Sequence, residues 1–241
     1  MKQKLLSAAA DTKLLFRSIP PIVTVLFTLS VVMMNILANK TVYQNDWIAI
    51  DGGIFVSWLS FLCMDVVTKA FGPKASTKLS VFAMFINLFA CLIFYLVSII
   101  PTEEDFSAFN TVIGGTWFIL LSSTVAFLAS AVINNFLNWG IGKIFLKNPD
   151  GKLAYVTRSY VSTFVAQFFD NLIFAMLTFM VFAPVFWDGF HWTFTQCVTC
   201  SLLGALLELL MEAVFSPFGY MVLKRWKKDG VGEEYRRRVR A

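Results

Sequence analysis

Apolar residues form six long runs that together cover most of the chain. The runs extend over residues 19–38, 52–71, 79–100, 114–135, 159–182 and 196–223. A helix needs about 20 apolar residues to cross the hydrocarbon core of a bilayer. Segments that cross lipid must pair all their backbone groups internally, so each run should be helical. The pattern predicts an all-α integral membrane protein, a bundle of six transmembrane helices.

The runs also set the expected organisation of the chain. We expect an N-terminal segment at 1–18, one six-helix transmembrane domain at 19–223 and a basic tail at 224–241. Hydrophobic residues make up 58% of the chain and charged residues 15%. Soluble domains are about 45–50% apolar and about 25% charged, and disordered chains are more polar still. Composition therefore excludes a water-soluble globule and a disordered chain.

Basic residues are concentrated on one side of the predicted bundle. Of the 20 Lys and Arg, 19 lie in the N-terminal segment, around the second and fourth connections, or in the C-terminal tail. Only Lys40 lies on the other side. By the positive-inside rule both termini are cytoplasmic, as an even number of spans requires. This predicts a multi-pass protein of the inner, cytoplasmic membrane. The tail then belongs beside anionic lipid, and no nucleic-acid partner is needed to explain it.

Four acidic residues lie inside the predicted spans, where they are costly. They are Asp65, Asp170, Glu208 and Glu212. An ionisable side chain at the centre of a membrane helix costs about 2.5–3.5 kcal/mol on insertion scales, so such residues usually face a cavity, a partner or a substrate. The sequence therefore indicates a polar cavity within the bundle.

Polar residues in several spans recur at helical spacing. In the fifth span they are Thr163, Gln167, Asp170, Asn171 and Thr178; in the sixth they are Cys197, Ser201, Gly204, Glu208, Glu212 and Ser216. Side chains at such offsets share one helix face. Hydrogen bonds between packed helices, worth about 0.6–2 kcal/mol each, explain the Ser and Thr positions adequately. They do not explain several acids, for which binding of a ligand is the better interpretation.

Nothing in the sequence indicates an enzyme, a metal centre or a cofactor. Cys197 and Cys200 have metal-ligand spacing, but the chain has only four Cys and a single His. Structural zinc requires four ligands. Phosphate-binding loops, nucleophile elbows and metalloprotease helices have no counterpart here. We therefore expect a non-enzymatic membrane protein.

Four segments in order and register resemble a known family of transporters. They are residues 35–40, 65–72, 158–163 with 167–174, and 212–220. These segments resemble the queuosine precursor transporter family, also called the VUT or vitamin uptake transporter family. The resemblance implies an importer of 7-deazaguanine bases. The family's motifs fall on Asp65, Thr68 and Gly72; on Arg158, Ser162, Thr163, Gln167 and Asp170; and on Glu212, Pro217 and Tyr220.

The residues and the resemblance together give an expected binding site for a small heterocycle. Its members are Asp170, Gln167, Asn171, Glu208, Glu212, Asp65, Asn35 and Arg158. One alternative is a substrate-binding membrane subunit of an ABC-type vitamin importer. Lys69, where many family members carry an acid, could pair with Asp65 or with Glu208. The sequence leaves open the coupling ion, facilitated diffusion and whether the protein forms a homo-oligomer.

Overall fold

The computed structural model describes residues 2–144 and 152–240, with only the backbone described at some helical positions. Over these residues the chain forms ten α-helices, one π-helix and two short strands. In chain order they are α1 (Lys2–Ser18), α2 (Pro21–Leu37), β1 (Thr41–Gln44), β2 (Ala49–Asp51), α3 (Ile54–Phe71), α4 (Pro73–Ser98), α5 (Ser107–Gly114), α6 (Thr116–Ile144), α7 (Lys152–Ala175), the π-helix (Met176–Phe182), α8 (Ala183–Phe186), α9 (Phe194–Lys228) and α10 (Glu233–Arg240).

The predicted helical membrane architecture is confirmed. The described residues contain five helices that are long and apolar enough to cross a membrane, or six if one bent pair counts as a single span. The bent pair consists of the end of α1 and α2, which meet at 101°. Proline disfavours helical conformation in the preceding residue, and Pro20 and Pro21 lie together at this break. The first predicted run therefore yields a helix of only 17 residues, preceded by a separate helix.

One compact unit contains α1, most of α2 and α3, the first part of α4, the second part of α9, and α10. Its core includes Leu15, Val67 and Leu79, none of which is exposed to solvent. Helix α10 packs against α1, and Arg238 forms an ion pair with Asp11 at 2.5 Å. Two segments distant in sequence are thereby joined.

Glycine allows two close turns in this first unit. Gly72, with a φ of 92°, ends α3, and Pro73 begins α4. Glycine after a helix and proline at the first position of the next one are the usual residues for such a break. Gly232, with a φ of 77°, lies against the ring of Phe71, where a Cβ atom would overlap it. This close approach lets Tyr235 enter the core, where it is 2% exposed.

The second unit consists of residues 35–54 and 90–210. Helices α6 and α7 pack along each other within it. A cluster of aromatic rings forms much of its core, with Phe118, Phe179 and Trp192 each at most 1% exposed. The rings of Phe179 and Trp192 stack with their centroids 3.7 Å apart.

A short β-hairpin connects α2 to α3. Strands β1 and β2 pair antiparallel, with Thr41 opposite Asp51 and Gln44 opposite Ala49. Asn45 closes the turn, because its side-chain oxygen accepts hydrogen bonds from the backbone N–H groups of Trp47 and Ile48. The sequence analysis did not predict this hairpin.

Candidate functional site

The acid at the centre of the predicted site, Asp170, is held by a serine on the neighbouring helix. Ser130 of α6 donates a hydrogen bond of 2.8 Å to Oδ1 of Asp170 on α7. Ser130 is 8% exposed, and Asp170 is partly buried. The packing of α6 along α7 brings the two side chains together. The hydrogen bond from Ser130 therefore holds Oδ1 of Asp170 in one orientation.

Gln167 and Asn171 lie four residues apart on one face of α7, and Asp170, three residues after Gln167, borders that face. Helical residues three and four apart are neighbours on the surface. Gln167 is 9% exposed. Within the described part of the chain, Oε1 of Gln167 and Nδ2 of Asn171 are buried without a hydrogen-bond partner. Buried polar atoms normally find a partner in the protein or in ordered water. This part of α7 therefore offers one free acceptor and one free donor close in sequence to a carboxylate.

Helix α9 contributes the opposite side of this cluster. Gly204 leaves room for the Asn171 side chain, because a Cβ atom built on Gly204 would lie 2.8 Å from Nδ2 of Asn171. Glu208 follows one helical turn later and is 5% exposed. Cys197 and Ser201, on the same face of α9, are fully buried. The polar faces predicted for the fifth and sixth spans thus meet at Asn171 and Gly204.

Asn35 belongs to the same unit and is 2% exposed. Its backbone oxygen accepts a hydrogen bond of 3.3 Å from Nδ2 of Asn39. The same Asn39 nitrogen lies 3.3 Å from the Thr116 hydroxyl at the start of α6. Asn35 therefore lies near the end of α2, in a region that is hydrogen-bonded to α6 through Asn39 and Thr116.

The other three predicted site residues are Asp65, Arg158 and Glu212. Asp65 lies in the first unit, where its Oδ2 forms an ion pair of 2.6 Å with Nζ of Lys69. Of the two partners considered for Lys69, the structure pairs it with Asp65. The side chains of Arg158 and Glu212 lie outside the described residues. The described cluster therefore consists of Gln167, Asp170, Asn171 and Glu208, with Ser130 hydrogen-bonded to Asp170 and Gly204 against Asn171.

The polar pattern of the fifth span included Thr178 but did not predict the π-helix on which it lies. The π-helix follows α7 directly, and π-helices are rare and frequent at functional sites. Oγ1 of Thr178 and Nε1 of Trp192 are buried there, and neither has a partner among the residues the structure describes. Trp192 also donates its backbone N–H to the oxygen of Phe179 at 3.2 Å. No periodic pattern in the sequence indicates a π-helix or this pairing.

One buried acid lies just outside the membrane-spanning helices. Asp51 ends β2, and its Oδ1 accepts a hydrogen bond of 2.7 Å from the N–H of Gly53. Burial raises the pKa of Asp51 to about 6, although the N–H groups of Gly53 and Ile54 lower it in part. Its carboxyl therefore titrates near neutral pH.

The cluster offers groups that can form hydrogen bonds to a polar ligand. Within residues 2–144 and 152–240 no group of three or more His, Cys, Asp or Glu could hold a metal ion. A carboxylate, an amide oxygen and an amide N–H on adjacent helix positions can instead match a ligand that presents both donors and an acceptor.

Comparison of the chain with known protein families finds a match to a family of transport proteins. The model described as "Putative vitamin uptake transporter" matches residues 51–222. No curated protein and no solved structure matches the chain significantly. The matched residues include α7 and the part of α9 that carries Gly204 and Glu208.

Proposed function

The chain belongs to the vitamin uptake transporter family, and from this premise we propose that it imports 7-deazaguanine bases, the precursors of queuosine. Such a base is a flat, polar heterocycle of small size. The observation that carries the proposal is the grouping of Gln167, Asp170 and Asn171 within about one turn of α7, where two amide atoms are buried without a partner. Glu208, across on α9, adds a second carboxylate to the same unit.

The hydrogen-bonding groups of these residues complement one edge of a deazaguanine. That edge presents two adjacent N–H donors and a carbonyl. A carboxylate can accept from neighbouring donors, as acidic side chains do from the amino group of cytosine. Asp170 is the natural acceptor, and the unpartnered Nδ2 of Asn171 is a donor for the carbonyl. Oε1 of Gln167 is an acceptor for a further N–H group. A cationic aminomethyl substituent would be attracted by Glu208.

The proposal includes six spans with both termini in the cytoplasm. Asp11 in α1 and Arg238 in α10 are in contact, so α1 and α10 lie on one side of any membrane that the chain crosses. A chain with both ends on one side crosses an even number of times. An even number supports six spans over five, with α2 as the first of them and α1 outside the bilayer. The positive-inside rule supports a cytoplasmic location for that side.

Labelling of single introduced cysteines tests this topology in intact cells. A membrane-impermeant maleimide should label Glu103→Cys, which lies in the connection between α4 and α5. It should fail to label Lys74→Cys, at the start of α4, until the cells are opened. The reverse pattern would refute the proposed orientation, and labelling of both in intact cells would refute the span count.

Uptake of labelled 7-cyano-7-deazaguanine by cells that express the chain tests the function itself. Asp170→Asn keeps the size of the side chain but removes the charge. Hydrogen bonds to charged groups contribute about 1.5–3 kcal/mol, so uptake at low substrate concentration should fall about tenfold or more. Asp105→Asn is the matched control, because Asp105 is exposed and lies outside the helices. Full uptake by Asp170→Asn, at equal expression, would contradict the proposed site.

Proteoliposomes that contain only the purified chain separate independent transport from an ABC-type subunit. We expect accumulation of the base in these vesicles without ATP or another protein. If the chain binds the base but the vesicles take it up only after an ATPase is added, the ABC-type assembly is favoured instead. A thermal shift with the same base measures binding directly, since a ligand of the native state raises its Tm.

A further inference from the structure

The β1–β2 hairpin is fastened to the first turns of α9. Nε2 of Gln196 donates a hydrogen bond of 2.5 Å to the backbone oxygen of Asn45. The hydroxyl of Thr199 donates to the backbone oxygen of Trp47, also at 2.5 Å. Both bonds join positions about 150 residues apart to the turn of the hairpin. The hairpin therefore has specific side-chain attachments to α9.

The underside of the hairpin covers part of the buried core of the second unit. Ala49 has no exposed surface and packs in one cluster with Cys197, Cys200 and the stacked ring of Trp192. The thiol of Cys200 is within hydrogen-bonding reach of the Asp51 backbone. Cys200 is 7% exposed. Lifting the hairpin would expose this surface of α9.

The outer side of the hairpin is open to its surroundings. Tyr43 is 52% exposed and Trp47 69%. The hairpin has only two strands, and an isolated two-stranded hairpin is marginally stable. Elements with few buried contacts are those that open locally at the lowest cost in free energy. The attachment to α9 is consequently what keeps the hairpin closed.

The polar cluster lies further along α9, on the face that carries Cys197 and Cys200, against which Ala49 of the hairpin packs. Gln196 and Gly204 are eight residues apart, which corresponds to about 12 Å along a helix. Cys200 and Ser201 lie between the hairpin contacts and the position where Asn171 meets Gly204. The covered surface therefore leads from the hairpin towards the proposed binding site.

We propose that the β1–β2 hairpin is a gate for the substrate, closed by Gln196 and Thr199 and opened by release from α9. The proposal rests on the transport function proposed above, since a gate requires a substrate path. Opening would pivot on the connection that contains Gly52. The N–H of Gly52 donates to the oxygen of Lys40 at 2.9 Å, and a Cβ atom there would lie 2.7 Å from the oxygen of Leu37. Gly52 thus anchors the base of the hairpin near the end of α2 while the turn moves.

The rate at which N-ethylmaleimide modifies Cys200 tests the opening without any substrate. Thr199→Val and Gln196→Ala each remove one attachment and should raise this rate at least threefold in the purified chain. Thr195→Val is the matched control, because Thr195 is exposed on the same helix and its side chain makes no described contact with the hairpin. Cys91, 3% exposed on α4, is the internal control and should keep its rate. Equal Cys200 rates in all four proteins would overturn the proposal.

A reversible cross-link tests whether opening is needed for transport. Trp47→Cys with Thr199→Cys, joined by a short bis-thiosulfonate reagent, should abolish uptake of labelled 7-cyano-7-deazaguanine, and a reductant should restore it. The control pair, Asp11→Cys with Arg238→Cys, should keep its uptake after the same treatment. Undiminished uptake by the cross-linked hairpin would overturn the gate while leaving the transport function intact. Absence of uptake by the untreated wild type would instead refute the transport function, and the Cys200 rates would still decide whether the hairpin opens.

Discussion

Asn171 on α7 occupies the space that Gly204 on α9 leaves open. The two residues are 33 positions apart in the sequence, and a single methyl group at Gly204 would lie 2.8 Å from the Asn171 amide nitrogen. Two helices can approach this closely because glycine has no side chain. The contact joins the helix that carries Asp170 to the helix that carries Glu208.

Gly204→Ala should displace Asn171 and weaken binding of the deazaguanine base about tenfold. The approach of 2.8 Å is shorter than ordinary van der Waals contact, so the amide must move. Gly219→Ala is the matched control on the same helix, because its Cβ would meet Val66 at 3.4 Å and Leu62 at 3.5 Å. Both changes raise the helix propensity, by about 1 kcal/mol. Thermal-shift titrations measure the two affinities, and equal affinities would argue against a role for Asn171.

Ser130→Ala should reduce uptake about tenfold by freeing the Asp170 carboxylate to rotate. The mutation removes the 2.8 Å hydrogen bond to Oδ1, and bonds of this charged type contribute about 1.5–3 kcal/mol. Ser122→Ala is the control, because the Ser122 hydroxyl is buried on the same helix and donates to the backbone oxygen of Phe118. Initial uptake rates at equal expression give the comparison. A similar loss in both variants would indicate a general packing effect.

The helices of this protein were largely predictable, because lipid imposes a simple rule on sequence. Runs of apolar residues gave the long helices from α3 to α9, since only internally paired backbone can cross a bilayer. The break at Pro20 was harder to predict because the apolar run continues past it into α2. A hydropathy pattern measures how apolar a segment is, but it does not show where the helix axis bends, as it does by 101° between α1 and α2.

The candidate site was predictable in part, and the reason differs between residues. Gln167, Asp170 and Asn171 were found because polar residues at helical spacing are conspicuous in an apolar span. The contact of Ser130 with Asp170 depends on how α6 packs on α7, which no local pattern encodes. Asp65 pairs locally with Lys69, four residues later, and this alternative was foreseen from helical ion-pair spacing.

The hairpin escaped prediction because its signals are short and mixed. Strand β2 has only three residues, and the turn holds Asn45 and Asp46 without glycine. Two-residue turns with glycine are the strongest local sign of a hairpin. Contacts with Gln196 and Thr199 hold this one in place instead. Tertiary contacts of that kind become visible only in the folded chain.

Asp51→Asn should raise the free energy of unfolding above pH 7. Below pH 7 it should make the free energy of unfolding depend less on pH. The pKa of Asp51 is raised from 3.8 to about 6 by burial. Between these values the folded state holds a proton that the unfolded state has released, so the free energy of unfolding falls as pH rises through this window. Above about pH 6 Asp51 is charged in the folded and the unfolded state, so the full cost of burying its charge lowers the free energy of unfolding. Each 1 kcal/mol recovered by the amide should raise the Tm by about 2–4 °C.

A Tm series from pH 4.5 to pH 7.5 checks this prediction. Asp46→Asn is the control, since Asp46 is exposed in the turn of the same hairpin. Asn at position 51 can still accept the hydrogen bond from Gly53, so the turn should remain intact. A parallel pH dependence in wild type and Asp51→Asn would mean that another group causes it.

Tyr235→Ala should destabilise the first unit strongly. Tyr235 is 2% exposed and its ring lies 6.2 Å from that of Phe71, and truncation of a large buried aromatic residue costs about 3–5 kcal/mol. The control is Arg237→Ala, two residues later on α10, where the side chain is exposed. It should change the free energy of unfolding by less than about 0.5 kcal/mol. Thermal unfolding compares the two, and hydrogen exchange in α1 should quicken in Tyr235→Ala alone.

The π-helix has a geometric consequence for the alignment of the second unit. Each residue of an α-helix turns the chain by about 100°, so removing one residue from Met176–Phe182 would rotate everything before it against everything after it by that angle. The side chains of Gln167, Asp170 and Asn171 would then face elsewhere while the Phe179–Trp192 stack stayed in place. The π-helix thus sets the rotation of the polar residues of α7 relative to the stacked rings of Phe179 and Trp192. Deleting one of its residues would change that rotation while leaving α7 and the ring stack themselves intact.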